Sequence, residues 1–433
     1  MATFLFASVP IQAHTMNPLP IAARLIERGH GVLWYSGKTF HDRIAAIGAT
    51  PLPYVEAEDF SGHDIFEYFP EFIGMSGAKQ IGLAFDRIFV GQAPHRVADL
   101  RAIIAAERNE GRSVDAMLTE GLSYGVGMVS ELEGIPWATF ADGPLPYADA
   151  DTPPFGPGMM PMAGPIGRLR NRLVRTVTAK VIFKNAQRTY DAIRADLGLP
   201  RDPNSALDSV ASPMLHMQGC TPGFEYPHAD LPSHIHWIGA LKPDPTKGWV
   251  EPNWWSDLGA DHKPVVHVTQ GSLRPDMSEL VVPALRALAE ENVRVIVTTG
   301  GPSRAAVETA YGQALPANCI VEQWIPYDEI LNKADVFVTN GGYTGVTLAL
   351  SHGVPIVQAG TTEEKAEIAA RIQWSGVGLR LGKTGPAPEK VRVAVRRVLD
   401  EPGFRDAARK VQAEMATHDS SREAADLLEK LAS

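Results

Sequence analysis

Cysteine is scarce: Cys220 and Cys319 are the only two in 433 residues. Two thiols make no disulfide framework, and no Cys/His spacing suits a zinc site, so no metal centre is expected. A reducing, cytoplasmic location fits this scarcity. Positive charge is also short. Forty Lys and Arg against fifty Asp and Glu give a net charge of −10, which argues against a broad nucleic-acid-binding face. No apolar run reaches the roughly 18 residues of a membrane span, so stable membrane insertion is not expected. The apolar start, residues 2–9, is short, has no preceding positive region and is broken by Pro10 and the polar residues 12–15. It reads as a buried parallel strand rather than a signal peptide. Glycine is missing from the first strand-to-helix turn, since none precedes Gly29. A dinucleotide fingerprint needs GxGxxG there, so a nicotinamide dehydrogenase is excluded.

What is present is a globular composition, 45% hydrophobic and 21% charged. The length suits two domains of roughly 200 residues. In the first half, residues 3–8 and 32–35 read as strands around a helix over 18–28, in which Leu19, Ala22, Leu25 and Ile26 share one face. Short apolar runs at 116–119 and 137–140 suit inner parallel strands. The second half repeats this grammar, with strands expected at 265–269, 294–298, 319–321, 336–339 and 355–358. Residues 226–255, rich in Pro, Trp and His, read as a linker between an N-terminal domain (1–225) and a C-terminal domain (256–410). A terminal helix at 411–433 either caps the second domain or crosses back to the first. Residues 168–197 form one long helical pattern, expected to turn Leu169, Leu173, Val177, Val181, Tyr190 and Ile193 to the core.

Two constellations carry chemistry. His14 follows the first strand, at the carboxyl edge of the expected sheet, where open α/β sheets bind ligands. An imidazole there can serve as a base near neutral pH. The second is Thr339-Asn340-Gly341-Gly342-Tyr343-Thr344-Gly345, a glycine turn between a strand and a helix. Backbone N–H groups at such a helix start can approach phosphate oxygens. Asp149-Ala150-Asp151 forms a D-x-D triplet, which is read as a chance pattern in a Pro-rich loop. His234 and His236 are read as surface residues rather than metal ligands.

Together these segments resemble the inverting nucleotide-sugar glycosyltransferases of family 1. The likeness covers nearly the whole chain. Pro10-Ile11-Gln12-Ala13-His14 and Arg28-Gly29-His30-Gly31-Val32 are similar to that family's opening helix and histidine loop. The stretch 264–272, ending Gln270-Gly271-Ser272, is similar to the turn that opens its donor domain. Gln323-Trp324-Ile325-Pro326 resembles its base-stacking segment, and the run from Val338 to Gly378 matches its donor signature. The resemblance implies the GT-B fold: α/β, with two Rossmann-like, doubly wound parallel-sheet domains facing each other across a cleft.

By the same resemblance the donor site comprises Gln270, Gly271, Ser272, Trp324, Ile325, Asn340, Gly341, Gly342, Thr344, Gly345, Glu364 and Lys365. Departures are visible. Asn340 stands where the family has histidine, Gly345 and Leu348 where it has serine and glutamate, and Glu364-Lys365 where it has Asp-Gln. Glu120 falls where the aspartate that orients the histidine is expected, with Asp115 as the alternative. The implied reaction transfers a sugar, with inversion, from a UDP- or dTDP-linked donor to a hydroxyl of a small apolar acceptor. The nucleotide sugar is a co-substrate, and no cofactor is implied. Aromatic and Met-rich segments at 60–89 and 143–165 are expected to line the acceptor cleft through Phe66, Phe69, Phe85, Tyr147 and Met160. A GT-B epimerase and a non-catalytic binding homologue are the alternatives. A monomer or homodimer is expected.

Overall fold

The computed structural model describes residues 1–63, 65–75, 77–242, 249–271 and 275–433. The first sheet contains β1 (Thr3–Ala7), β2 (Gly31–Tyr35), β3 (Thr50–Leu52), β4 (Ala116–Glu120), β5 (Trp137–Ala141), β6 (Leu215–Gln218) and β7 (Ile235–Trp237). The second contains β8 (Val265–Thr269), β9 (Arg294–Thr298), β10 (Cys319–Glu322), β11 (Val336–Thr339), β12 (Ile356–Gln358) and β13 (Gly378–Arg380). Their spatial orders are β3-β2-β1-β4-β5-β6-β7 and β10-β9-β8-β11-β12-β13. Every pairing is parallel.

Parallel strands covered on both faces must be apolar throughout, and β1 shows how. Leu5 and Ala7 pack with Tyr35, Met117 and Trp137 on one face. Phe4 and Phe6 pack with Trp34, Leu118 and Phe140 on the other. Strand order reverses between β1 and β4 in the first sheet, and between β8 and β11 in the second. Such switch points open a crevice at the carboxyl ends of the strands. His14 and Glu120 flank the first crevice; Gln270 and Asn340 flank the second.

Three sequence expectations need correction or refinement. Residues 235–237, inside the stretch read as linker, form β7 at the edge of the first sheet, paired with β6. The chain therefore completes one sheet before crossing to the other. The helix Ser420–Leu431 returns to the first domain, where Ala424, Ala425 and Leu428 pack in the cluster that holds Ile21 and Leu25.

The long pattern at 168–197 is not one core-facing helix. It divides into Gly164–Val177, a π-helical turn Thr178–Ile182 and Lys184–Asp196. Tyr190 and Ile193 are buried, but Leu169, Leu173, Val177 and Val181 face outward. The reason is that small and polar residues take the inner face. A Cβ on Gly167 would meet the Met162 carbonyl at 1.8 Å. Asn171 donates to the Ala150 carbonyl at 3.1 Å.

Candidate active site

The short helix Gln12–Met16 follows β1 and presents His14 to the crevice. Glu120 ends β4, with its side chain buried. Its Oε1 accepts from the Val9 N–H at 3.1 Å, and its Oε2 accepts from the Leu122 N–H at 2.8 Å. Those two bonds fix the carboxylate, and His14 Nδ1 lies 3.0 Å from Oε2. No hydrogen bond to Nε2 occurs among the described residues, so this nitrogen is left to the crevice. Asp115 lies elsewhere: it accepts from the Thr3 N–H at 2.7 Å, at the opposite end of β1.

The sequence reading missed Asp142. It follows β5 directly, and its Oδ2 lies 3.5 Å from His14 Nδ1. An acidic residue at a strand's carboxyl end was the available signal. Burial works to lower the His14 pKa, but the carboxylates of Asp142 and Glu120, with Glu364 beyond them, raise it to about 10. Burial pushes the Asp142 carboxyl up, against the pull of His14. His14, Glu120 and Asp142 offer donor atoms within 4.8 Å of one another, a spacing that a small cation can span. The backbone bonds already made by Glu120 suit a hydrogen-bonded imidazole at least as well.

At the second edge, β11 runs into Asn340, Gly341 and Gly342, and the helix Tyr343–Ser351 follows. Gly341 has φ +96°, and a Cβ there would come within 2.8 Å of the Gln358 side chain. Its N–H donates to Thr339 Oγ1 at 3.1 Å, so this amide is not free for a phosphate, contrary to expectation. Gly342 faces open space at the helix start. Asn340 Nδ2 donates to the Gln270 carbonyl. Gln270 itself is buried and donates to the Asp276 carbonyl at 2.7 Å, which makes it an anchor of its own turn. Gly271, at φ +74°, lies beside Asn340, and Ser272 lies outside the described residues.

Ile325 is core, packed with Phe337 and Tyr343, whereas Trp324 is half-exposed. Gly345 also turns inward, where a Cβ would meet Tyr327 and Phe337 at 3.2 and 3.4 Å. Glu364 precedes the helix Lys365–Trp374, and burial raises its pKa. Lys365 Nζ is taken by Glu363 and by Thr362 Oγ1. A small cleft lies along this edge between Asn340 and Lys365, bounded also by Glu279, Gly360, Thr362 and Thr384. These last four were not anticipated.

The two edges meet. Asn17 Nδ2 donates to Asp142 Oδ2 at 3.1 Å and to Thr344 Oγ1 at 2.8 Å. Gln218 Nε2 donates to Tyr343 Oη at 2.9 Å. Buried Arg371 bonds Glu225 of the first half and Glu367 of its own helix, while Glu367 accepts from the N–H groups of Gly156 and Gly158 at 2.9 and 2.7 Å.

Comparison with known proteins decides the family. Residues 284–431 match the model of the erythromycin biosynthesis protein CIII-like C-terminal domain. The chain is 38% identical to a 4'-demethylrebeccamycin synthase of Lentzea aerocolonigenes, over 99% of both chains. It is 32% identical to UDP-glycosyltransferase 2 of Phaeomoniella chlamydospora, over 99% of this chain and 95% of that one. The chain belongs to the family 1 glycosyltransferases. Its fold is GT-B: a calicheamicin glycosyltransferase superposes with a TM-score of 0.74 at 21% identity, covering 100% of this chain and 98% of the other.

In this glycosyltransferase the four described residues expected to line an acceptor cleft, Phe69, Phe85, Tyr147 and Met160, do not converge. Phe69 is core, with Phe60, Tyr68 and Phe72 around it. Phe85 packs edge-on against Phe89 and Phe183. The aromatic run therefore builds the domain interior, because a ring buried among rings gains more than one facing water. Tyr147 instead bonds the Asp230 carbonyl at 3.2 Å, and Met160 is half-buried beside Arg170. The side chain of Phe66 lies outside the described residues. No described helix is long and apolar enough to cross a membrane.

Proposed function

We propose that this glycosyltransferase moves a sugar, with inversion at the anomeric carbon, from a UDP- or dTDP-linked donor to a hydroxyl of a small, largely apolar natural product. His14 is the base. Glu120 holds Nδ1–H, so Nε2 takes the acceptor proton. The acceptor oxygen then forms its bond to the anomeric carbon as the bond to the diphosphate breaks. The nucleoside diphosphate departs toward Gly342, where the start of the helix Tyr343–Ser351 favours negative charge. Glu364 faces the sugar, and Trp324 carries the base. Two carboxylates beside the imidazole stabilise the imidazolium that forms.

The observation that carries this reading is the 3.0 Å contact between His14 Nδ1 and a Glu120 carboxylate already fixed by two backbone bonds. The relatives, a rebeccamycin-type synthase and a UDP-glycosyltransferase, favour the same substrate classes. The donor-edge cleft between Asn340 and Lys365 leaves room for little more than a water molecule, so the domains are expected to part for the donor. The test is incubation with a panel of UDP- and dTDP-sugars and a phenolic acceptor, followed by assignment of the product's anomeric configuration by proton NMR. Retained configuration rules out direct displacement, and a panel without any transfer rules out the donor class. Calorimetric titration of free UDP and dTDP into the wild type and the Trp324→Ala variant separates donor placement from chemistry.

A further inference from the structure

We propose that the outward face of the helix Gly164–Val177 and of the π-turn after it docks on an anionic lipid bilayer. Ile166, Leu169, Leu173, Val177 and Val181 are between 55% and 77% exposed. Their spacing of three or four residues places them in one stripe along the helix. The inner face is supplied by Gly167, Asn171 and Thr178, so the leucines and valines form an outward stripe flanked by Arg168, Arg172 and Arg175, while the inward side is small and polar. That inverts the pattern by which a surface helix buries its leucines in the core.

Charge selects the occupant. No Asp or Glu occurs between Asp151 and Asp191, while seven Lys and Arg do, in a chain of net charge −10. Arg168 pairs with Asp151 at 2.8 Å and Arg175 bonds the Asp149 carbonyl at 2.8 Å. Arg172 and Lys180 are exposed and make no ion pair among the described residues. An exposed apolar stripe beside unpaired basic groups fits an interface of acyl chains and anionic headgroups. A second copy of this chain fits less well, because a two-fold axis through the stripe would bring like charges together.

The test is co-sedimentation with vesicles of phosphatidylcholine, with and without phosphatidylglycerol. The wild type is expected to pellet with the anionic vesicles and to be released by high salt. The double variant Leu169→Ser/Leu173→Ser should lose at least about tenfold in partitioning. Arg172→Gln should lose about fivefold. These side chains face solvent, so thermal unfolding midpoints should match the wild type and separate lost docking from lost folding. Absence of binding to anionic vesicles overturns the proposal, as does unchanged binding by the double variant. Sedimentation velocity adds a further arm: a dimer that the double variant dissociates would assign the stripe to a second copy instead.

Discussion

Two buried clusters of this enzyme share one composition, a single cation between two carboxylates, yet their cations differ in chemistry. His14 lies between Glu120 and Asp142, and Arg371 lies between Glu225 and Glu367. A guanidinium cannot release its proton under ordinary conditions. Burial works against the charge of Arg371, but Glu225 and Glu367 more than offset it and hold its pKa above the usual value. With the Tyr226 ring 4.2 Å from the guanidinium carbon, the cluster is a fixed tie between the domains. An imidazole can release its proton, and His14 keeps 23% of its side chain exposed. The same two-to-one arrangement therefore makes a latch in one place and, on the proposed mechanism, a proton handler in the other.

Removing each cation is the strongest way to test that contrast. His14→Ala should lower turnover by about two to four orders of magnitude while donor binding stays close to wild type. Steady-state kinetics with calorimetric donor titration would show it, and near-normal turnover would remove His14 from the base role. Arg371→Met should instead act on folding. It strands two carboxylates in the interior, which typically costs about 3–5 kcal/mol. Urea unfolding measures this directly. A variant as stable as the wild type would mean that the latch is dispensable.

The contrast also explains what the sequence could and could not reveal. Inner parallel strands are short apolar runs with no competing reading, and β8, β9 and β11 have the same bounds in the chain and in the fold. Glu120 was legible because the family resemblance puts the carboxylate that orients the histidine at the end of that strand. Asp142 occupies the equivalent place after β5 but belongs to no motif, so its position at a strand end is a weak signal to which proximity to His14 gives meaning. Periodicity finds the apolar stripe of the helix Gly164–Val177 but not the direction it faces. That depends on Gly167 and Asn171 meeting a loop far from regular structure. The aromatic segment at 60–89 failed as a binding-loop signal for a related reason: composition cannot distinguish rings that line a cleft from rings that fill a core.

A smaller change sharpens the proton-handling half of the comparison. With its pKa raised to about 10, free His14 is mostly protonated near neutrality, and a base must be neutral. The value of kcat/KM should therefore climb on the alkaline side as His14 loses its proton. Asp142→Asn removes one of the two adjacent negative charges and should move that limb down by roughly one to two pH units. The sign for stability runs the other way. A raised histidine pKa stabilises the fold fully below about 6.5, and that contribution is lost as pH rises toward about 10. An alkaline limb that Asp142→Asn leaves in place would mean that the two groups do not interact in the working enzyme.

The smallest expected effect falls on Asn17, which joins the His14 cluster to the second domain. One amide nitrogen donates both to Asp142 Oδ2 and to Thr344 Oγ1, in the first turn of the helix proposed to receive the diphosphate. Asn17 thus bridges the two domains, whereas His14 is the proposed base. A hydrogen bond of this kind contributes about 0.5–1.5 kcal/mol net. Asn17→Ala should weaken donor binding by about two- to tenfold and leave the anomeric outcome unchanged. Thr344→Ala removes the other end of the same bond and should cost a similar factor. The double variant should then be hardly worse than either single one, because the shared interaction is lost only once. Calorimetric titration of UDP into all four proteins closes the cycle. Costs that simply add would mean that Asn17 and Thr344 act separately, and that the tie between the two edges runs through other contacts, such as those of Arg371, Glu367 and Tyr343.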